Sequence, residues 1–443
     1  MITVSEHRDE VLSQIRRNPE VQLPLDRAVG LVTTQDILSA VDLPRFDNSA
    51  MDGYAVKASE VAEASEESPL SITVNGDIPA GDTEQHVHVA GRAWRIMTGA
   101  PMPEGADAVV PVEDTDDRPR ETLIRKAPKE NAHIRRAGGD LRAGDVIVRA
   151  GTLIGPAQVA AIASAGVAHV FVTAPVRVVV FSTGDELRNL DEPIMSGQII
   201  DSNGPMLAAA VREAGFYAVH IGHLPDQEKV IEEELRHHLT HADAIITTGG
   251  VSKGAYDAVK AVLKGKGSME FPEVAMQPGK PQGFGVLGKR RVPVFTLPGN
   301  PVSALVSFEI FVRPALAVRA GRAYETVTYP AVVLQGWRSP EGKVQYARVG
   351  VERDSTGAYA VAPAGGTGSH MVGGLAQADA LAVVDAEVSE VSAGSTLRII
   401  LLGDRSELDA RLAAQSAPLT EDAQEEHEDS AKRSGGRGRH RGR

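Results

Sequence analysis

Polar side chains suited to binding phosphate and metal follow four short apolar runs in the second half of the chain. Two of these runs end in acidic residues, and the other two end in glycine-rich loops at 247–257 and 298–303. The carboxylates that follow the runs are Asp185, Glu186, Asp226 and Asp257. Buried parallel strands of a doubly wound sheet end at one edge, where ligands bind, so we expect these side chains to line one crevice.

The acidic residues in this crevice predict a cation. Carboxylates do not lie beside phosphate oxygens unless a positive ion separates them. Oxygen ligands without cysteine or nearby paired histidine favour Mg²⁺ over a softer metal. Any one of these acids alone is more simply a solvated loop residue, but four at successive strand ends favour a metal site.

Two further loops offer contacts to an oxyanion. In PGNPVSA at 298–304, Asn300 suits an N-cap and Pro301 a first helical turn, so free backbone N–H groups and the Ser303 hydroxyl can hold an anion. An ordinary capped helix is the alternative. In PGKP at 278–281, the two prolines restrict the backbone around Lys280. Alone, this motif would be a turn with a solvated lysine, but together with the other loops it predicts a second oxyanion contact.

The loop TTGGVSKGAYD at 247–257 has the same character. Gly249 and Gly250 allow the backbone to approach a ligand closely. Ser252 and Lys253 can meet oxyanions, and Asp257 can face a metal.

Two other motifs are weaker. GFGVLGK at 283–289 matches part of a dinucleotide or phosphate loop, but a strand follows it rather than a helix, and Arg290 stands where a phosphate loop needs Ser or Thr. A hairpin is predicted there. His237, His238 and His241 have metal-ligand spacing without an HExxH glutamate, and an exposed helix end is the favoured interpretation.

The elements that position these loops follow from hydrophobic periodicity. Helical spacing is predicted for 4–37, an irregular segment for 41–56, and short strands for 70–124. Strands alternate with helices from 175 to 322, which predicts a parallel sheet with right-handed crossovers, and short strands follow. The predicted helices of this part are 204–215, 227–239, 255–263 and 301–321. The predicted domains are a discontinuous mixed α/β domain (1–46 and 134–174), an inserted β-rich domain (47–133), an α/β domain (175–323), a β domain (324–403) and a largely disordered acidic-then-basic tail (404–443).

Composition limits the class of protein. The 443 residues include no cysteine, which excludes disulfides, thiolate metal sites and cysteine nucleophiles. No signal-like N-terminus or membrane-length apolar run is visible, so we expect a cytoplasmic protein without membrane contact. The net charge of −13 argues against nucleic-acid binding, and a solubilising role for the charged tail is favoured over a nucleic-acid role.

Seven motifs in a fixed order resemble the MoeA and gephyrin E-domain family, the molybdopterin molybdenumtransferases. The resemblance covers about residues 4–402. The motifs are DNSAMDGYA (47–55), RIMTGAPMPEGAD (95–107), RRAGGDLRAGD (135–145), STGDEL (182–187), TTGGVSKGAYD (247–257), PGKP (278–281) and LPGNPVSA (297–304).

The resemblance implies an α/β plus β protein whose central doubly wound parallel sheet is a MogA-like molybdopterin-binding domain, with N-terminal mixed and β domains and a C-terminal β domain. It implies binding of adenylylated molybdopterin and molybdate, insertion of molybdenum, and Mg²⁺-assisted release of AMP, the last step of molybdenum cofactor synthesis. It also implies a homodimer with shared active sites, in which Asp52 reaches the partner's crevice, and transient contact with the molybdopterin adenylyltransferase.

Residues carried over by motif position divide into two groups. The expected catalytic residues are Asp52, Thr98, Asp140, Glu186, Asp226 and Asp257, with Glu186 and Asp257 holding Mg²⁺. The expected ligand-binding residues are Thr183, Gly184, Asp185, Gly249, Gly250, Ser252, Lys280, Pro298, Asn300, Pro301, Ser303, Arg348 and Ser369.

One departure and two alternatives accompany the resemblance. Many relatives carry lysines just before PGKP, where this chain has Glu273 and Gln277, which weakens oxyanion contact at that edge. The alternative functions are a molybdopterin adenylyltransferase, which would consume ATP, and a non-catalytic scaffold like gephyrin.

Overall fold

The computed structural model describes residues 1–249 and 258–416, which fold into two compact units. One unit is Pro19–Ala174, and the other joins Met1–Asn18 to the chain from Pro175 onward. The finer division into five segments stays a prediction.

The first helix, α1 (Val4–Gln14), is much shorter than the helical segment predicted for 4–37. It starts with a capping box in which Thr3 and Glu6 exchange hydrogen bonds. It ends at Gln14, since Ile15 already has an extended backbone. The helix could not have continued to residue 37, because Pro19 lacks an N–H and disfavours helical geometry at the preceding residue, and a strand begins at Glu20. The prediction beyond Gln14 is therefore wrong.

Short strands dominate the unit Pro19–Ala174, as predicted for 70–124. Its elements are β1 (Glu20–Pro24), β2 (Ile37–Leu38), β3 (Asn48–Ser49), β4 (Gly53–Val56), β5 (Leu70–Ile78), β6 (Arg92–Ile96), β7 (Ala108–Pro111), β8 (Glu121–Ile124), β9 (Ile134–Arg135), β10 (Val146–Val148), α2 (Pro156–Ser164) and β11 (His169–Thr173). The largest sheet has the order β7-β4-β6-β5-β8. Gly53 is needed in β4 because a Cβ there would lie 2.0 Å from the Val110 carbonyl oxygen.

The second unit contains the predicted α/β sheet. Its elements up to the last core helix are β12 (Arg177–Thr183), β13 (Leu187–Arg188), β14 (Ile199–Ile200), α3 (Asn203–Glu213), β15 (Tyr217–Leu224), α4 (Glu228–His238), β16 (Ala244–Thr248), α5 (Ala258–Leu263), β17 (Met276–Gln277), β18 (Gly283–Leu287), β19 (Val292–Leu297), α6 (Pro301–Ser307) and α7 (Arg313–Arg319).

The five-stranded sheet has the order β15-β12-β16-β19-β18. Its neighbours run parallel except β18 and β19, which form the hairpin predicted for GFGVLGK. The doubly wound sheet is thus confirmed, with one antiparallel edge strand. An apolar cluster covers each face of this sheet. Side chains of β12 alternate between the two clusters, with Val178 and Val180 in one and Val179 and Phe181 in the other.

A continuous helix from Pro301 to Arg319 combines α6, a π-helical turn (Phe308–Val312) and α7. It is the one helix among the described residues that is long and apolar enough to cross a membrane, and 78% of it is buried inside the protein. Such burial is typical of a core helix, since a helix that is apolar all round must be covered.

The last part of the second unit is a β-barrel. Its elements are β20 (Tyr329–Val333), β21 (Trp337–Arg338), β22 (Val344–Arg353), β23 (Tyr359–Pro363), α8 (Val372–Ala376), β24 (Ala380–Val384), β25 (Glu390–Val391), β26 (Thr396–Leu401) and α9 (Arg405–Ser416). The order β22-β23-β20-β26-β24 closes because β24 also pairs with β22. The predicted C-terminal β strands are confirmed.

Helix α9 corrects the tail predicted to begin at 404. Its Leu408 and Leu412 are one turn apart and are buried in the apolar cluster of the barrel. Burial of these two side chains orders a helix whose other residues are mostly polar. The rest of the predicted tail, from 417, lies outside the described residues.

Candidate functional site

Three predicted carboxylates meet where β12 and β15 end. The backbone N–H of Gly184 donates to the Leu224 carbonyl (3.2 Å), and the N–H of Asp226 donates to Asp185 Oδ1 (3.1 Å). Burial raises the pKa of Asp226, and the negative charges of Asp185 and Glu186 raise it further. Asp226 Oδ1 is buried with no hydrogen-bond partner among the described residues. The three acids therefore form one charged cluster that is incompletely satisfied by the protein.

The Glu186 carboxylate lies close to the backbone at the end of β12. A Cβ on Gly184 would lie 2.6 Å from Glu186 Oε2, the end of a flexible side chain. Gly184 also has φ +154°, a backbone conformation that favours glycine.

The ends of β12, β16 and β19 form a close-packed floor beside the acids. Gly249 has φ +92°, and a Cβ there would lie 2.4 Å from the Thr183 carbonyl oxygen. Its N–H donates to the Leu297 carbonyl (3.3 Å), and Gly299 packs against it. Thr183 Oγ1 is buried and, among the described residues, has no hydrogen-bond partner. This floor therefore offers a ligand the backbone at Gly249 and Gly299 and the hydroxyl of Thr183.

Asn203, at the start of α3, joins the two loops of this floor, and the sequence analysis did not identify it. Its Nδ2 donates to Thr248 Oγ1 (2.9 Å) and to the Gly299 carbonyl (2.6 Å). Thr248 in turn donates to the Pro298 carbonyl (3.0 Å). The segment DSNG at 201–204 carries the signal that could have found it, a polar helix start between two strands.

Asp201 is a second residue that the sequence analysis missed. It accepts hydrogen bonds from the Ser182 hydroxyl (2.8 Å) and the Gly204 N–H (3.0 Å), while its Oδ2 lies 3.8 Å from His220 Nε2. A Cβ on Gly204 would lie 2.3 Å from that nitrogen. These contacts fix the start of α3 against β12 and so hold Asn203 in place.

The predicted oxyanion loop at 298–303 contacts the barrel. The helix begins at Pro301 with Asn300 as its N-cap residue, as predicted. The Asn300 side chain makes no capping hydrogen bond and donates instead to Ser369 Oγ (2.8 Å). The Val302 N–H donates to the Ser369 carbonyl (3.1 Å), and Ser303 is buried in the first turn. Ser369 is therefore placed beside Asn300, Pro301 and Ser303.

Arg348 supports this loop from the barrel. Its buried guanidinium donates to the carbonyls of Gly366, Gly368 (3.2 Å) and Met371. The side chain thus fixes the segment that carries Ser369. A cavity of about 60 Å³ lies between Arg348, Val302 and Pro278, so the PGKP loop opens onto the same region.

Lys280 is paired within its own loop. Its Nζ lies 2.9 Å from Glu273 Oε2, and both side chains are partly exposed. Glu273 is, with Gln277, one of the two residues at which a departure from the family is expected from the sequence. The departure therefore places a competing carboxylate on the very cation predicted to meet the oxyanion.

In the unit Pro19–Ala174, Asp52 and Thr98 form a surface pair. Asp52 Oδ1 accepts from the Thr98 N–H (2.6 Å) and hydroxyl (2.8 Å). These two bonds, the backbone bond first, hold the pKa of Asp52 below its ordinary value. The pair is exposed, so the carboxylate is ionised and accessible.

Three of the quoted motifs meet around this pair. Strands β3 and β9 pair, the Gly99 N–H donates to the Ser49 carbonyl (2.8 Å), and Arg136 forms an ion pair with Asp47. Asp140 lies on the third motif, exposed, with its N–H bonded to the Leu43 carbonyl (2.9 Å). The motifs that supply Asp52, Thr98 and Asp140 therefore belong to one cluster of loops.

Four predicted site residues lie outside the described residues: Gly250, Ser252, Lys253 and Asp257. Along the strand ends of the second unit lie the carboxylates, the Thr183–Gly249 floor and the loop in which Asn300 contacts Ser369, whereas Lys280 lies in the PGKP loop and Arg348 in the barrel. Pro298 belongs to this floor through its carbonyl. Such a surface combines an acidic end for a cation with a backbone- and hydroxyl-lined end for an anion.

Comparison with known families matches nearly the whole chain. Residues 2–166 match the MoeA N-terminal region (domain I and II), residues 179–318 a probable molybdopterin binding domain, and residues 330–402 the MoeA C-terminal region (domain IV).

Individual relatives match this chain over similar lengths. The molybdopterin molybdenumtransferase 2 of Mycobacterium tuberculosis is 41% identical over 406 residues, covering 90% of this chain and 99% of that protein. The molybdopterin molybdenumtransferase of Haemophilus influenzae is 35% identical over 403 residues, covering 90% and 98%. Two solved MoeA structures from Pyrococcus horikoshii have TM-scores of 0.75 and 0.71 at 28% and 27% identity, and they cover 90% and 91% of this chain and 99% and 100% of theirs.

Proposed function

The chain belongs to the MoeA family of molybdopterin molybdenumtransferases, and on that premise we propose that it inserts molybdenum from molybdate into adenylylated molybdopterin. Mg²⁺ assists the accompanying release of AMP, and the reaction is the last step of molybdenum cofactor synthesis. The observation that carries this proposal is the series of carboxylates, backbone groups and hydroxyls along the strand ends, since it offers a cation site beside an anion site.

The donor set fits Mg²⁺. Asp185, Glu186 and Asp226 supply only oxygen ligands, and Asp226 Oδ1 lacks a partner among the described residues. Glu186 and Asp257 are the proposed metal ligands, and the charge of Glu186 acts on Asp226. Bound there, Mg²⁺ would neutralise phosphate charge and would polarise the bond to the leaving AMP.

The remaining residues bind and orient the substrates. Gly249 and Gly299 let the backbone approach the pterin substrate, and the Thr183 hydroxyl can donate to a phosphate oxygen. Ser303, Ser369 and Lys280 hold molybdate, while Arg348 keeps the Ser369 loop in place through its three carbonyl bonds. Cations and hydroxyl donors gather the two anions in this way.

The test is AMP release from adenylylated molybdopterin with molybdate, measured with and without Mg²⁺. We expect Glu186→Ala to fold normally, by circular dichroism and thermal unfolding, and to abolish AMP release. The exposed Glu121→Ala in the other unit serves as a matched control and keeps full activity. Unchanged turnover in Glu186→Ala would refute the assignment of the metal site.

The alternatives are not favoured. An adenylyltransferase would consume ATP, yet the matches extend through the N-terminal and C-terminal MoeA regions. A scaffold would not need the acidic cluster with its unsatisfied Asp226.

We further propose a cytoplasmic homodimer in which Asp52, Thr98 and Asp140 of one subunit complete the crevice of the other, with the adenylyltransferase as a transient partner. The exposed and ionised Asp52 supports this role, because a carboxylate accessible at the surface can reach a ligand. No contact with nucleic acid or membrane is proposed.

A further inference from the structure

Three histidines at the end of α4 form a compact cluster on the opposite edge of the sheet from the candidate site. His237, His238 and His241 each have a ring nitrogen that lies within 4.8 Å of the corresponding nitrogens of the other two. Helix α4 leads into β16, whose first residue is Ala244 and whose far end carries Thr248. The cluster thus lies a full strand length from the carboxylates.

Neighbouring groups determine which nitrogen carries the proton in two of these rings. Glu234 Oε2 lies 3.2 Å from His238 Nε2, and a carboxylate accepts, so the proton of His238 belongs on Nε2. The Thr240 hydroxyl donates to the His237 carbonyl (2.7 Å), so its oxygen is left to accept from His241 Nδ1 at 3.3 Å. In the neutral rings, His238 Nδ1 and His241 Nε2 therefore each carry a lone pair.

Those remaining nitrogens face each other. His238 Nδ1 and His241 Nε2 are 3.1 Å apart. Two lone pairs at this separation repel unless a cation lies between them. Two nitrogen ligands of a tetrahedral zinc ion, each about 2.0–2.1 Å from the metal, lie about 3.3 Å apart. The separation is thus close to that of two ligands of one metal ion.

We propose that His237, His238 and His241 bind a transition-metal ion of the Zn²⁺ class, with Glu234 orienting the His238 ring. Imidazole ligands select Zn²⁺, Co²⁺ or Ni²⁺ over Mg²⁺, so this site and the carboxylate site take different metals. The helix C-terminus adds a favourable field, because its free carbonyls carry negative partial charge. The nearby Arg290 is paired with Asp243 and donates to the Thr240 carbonyl, so its charge is partly neutralised.

The site has a structural role in this proposal. Its ligands span the last turn of α4 and the turn that follows, where His241 and Ala242 N–H groups donate to the His238 carbonyl (3.1 and 2.8 Å). A metal bound there fixes the connection from α4 to the central strand β16.

The experiment is calorimetric titration of Zn²⁺ into full-length protein without a polyhistidine tag, after chelator treatment and in excess Mg²⁺ to occupy the carboxylates. We expect one equivalent of Zn²⁺ per chain, and visible absorption typical of tetrahedral geometry when Co²⁺ is used. His237→Ala/His241→Ala removes this binding, while His238 is left intact because it is buried. Glu234→Gln weakens it by roughly 10- to 100-fold.

The matched control is His169→Ala, an exposed histidine of the other unit, which keeps the full Zn²⁺ affinity. The double variant also keeps its metal-free melting temperature and its AMP release, which separates this site from the proposed reaction. One equivalent of Zn²⁺ retained in the double variant would overturn the proposal. So would an absence of binding in the wild-type chain, since a shared proton would then satisfy the two nitrogens.

Discussion

At the scale of single residues, Asp226 shows a conflict between stability and function. Its folded-state pKa lies above the unfolded value of 3.8, mainly because of burial. Stability from this group is therefore fully present below pH 3.8 and is lost as pH rises through the folded pKa, because ionisation then opposes folding. A partly buried carboxylate whose ionisation opposes folding, beside two other acids, is typical of a ligand-binding site.

Asp226→Asn tests this conflict. In Mg²⁺-free buffer at pH 7 we expect the variant to melt higher than wild type by about 1–3 °C, because the ionisation cost disappears and partial exposure keeps the effect small. The difference should shrink as pH falls toward 4. Differential scanning fluorimetry from pH 4 to 8 measures it, and AMP release in the same samples should fall at least about tenfold. A variant that melts lower than wild type at pH 7 would contradict this account of Asp226.

Lys280 carries a second prediction, because Glu273 competes for its charge at 2.9 Å. We expect Lys280→Ala to raise the KM for molybdate about tenfold, equivalent to about 1.4 kcal/mol. Glu273→Gln should lower that KM about two- to fivefold, since the exposed pair contributes only about 0–1 kcal/mol. Molybdate-dependent AMP release gives both values. Equal KM values in all three proteins would show that Lys280 does not contact molybdate.

The sequence predicted which residues lie at the site better than it predicted which residues they form hydrogen bonds and ion pairs with. Asp185, Glu186 and Asp226 could be placed together because strand ends share one edge of a sheet. The ion pair of Lys280 with Glu273 could not, since it depends on how the PGKP loop folds back. Asn203 was missed because a single asparagine at a helix start is common and its two acceptors lie on distant loops.

At the scale of elements, the start of α3 determines how the strand-end loops meet. Asn203 is 8% exposed and bonds to both the β16 loop and the β19 loop. Removing its amide takes a donor away from the Oγ1 atom of Thr248, a residue that is only 1% exposed, and also from the carbonyl of the exposed Gly299. Loss of the bond at the buried Thr248 costs about 1–3 kcal/mol. The loops would then lose their shared anchor.

We therefore expect Asn203→Ala to lower the free energy of unfolding by about 1–3 kcal/mol in urea denaturation and to reduce kcat for AMP release more than it raises KM. Asn75→Ala is the control, because Asn75 accepts one surface hydrogen bond from Arg92. The control should change unfolding by no more than about 0.5 kcal/mol. Full activity in Asn203→Ala would show that the loops hold their geometry without α3.

Elements with strong periodicity were predictable, and elements that depend on tertiary packing were not. The alternating strands and helices from 175 to 322, the GFGVLGK hairpin and the helix start at Pro301 followed from local signals. The predicted helix over 4–37 failed because Pro19 ends the pattern. Helix α9 escaped prediction because two leucines in a polar segment signify burial only once the barrel is present.

At the scale of the whole molecule, the residues that we propose for the reaction belong to two different units of the chain. Asp52 and Thr98 belong to Pro19–Ala174, whereas Glu186 and Asp226 belong to the unit that contains the α/β sheet. The proposed dimer joins one unit of each subunit into each site. A symmetric dimer then has two equivalent composite sites, so the two halves can be inactivated on different chains.

Mixing two inactive variants, Asp52→Asn and Glu186→Gln, tests this arrangement. After the subunits exchange, half of the dimers should be mixed, and each mixed dimer has one site with both changes and one site with neither. We expect activity to recover to about one quarter of wild type, because random pairing leaves one intact site in four. Size-exclusion chromatography confirms the dimer, and AMP release before and after exchange gives the activity. If each site were built within one subunit, every site would keep a defect and exchange would restore nothing.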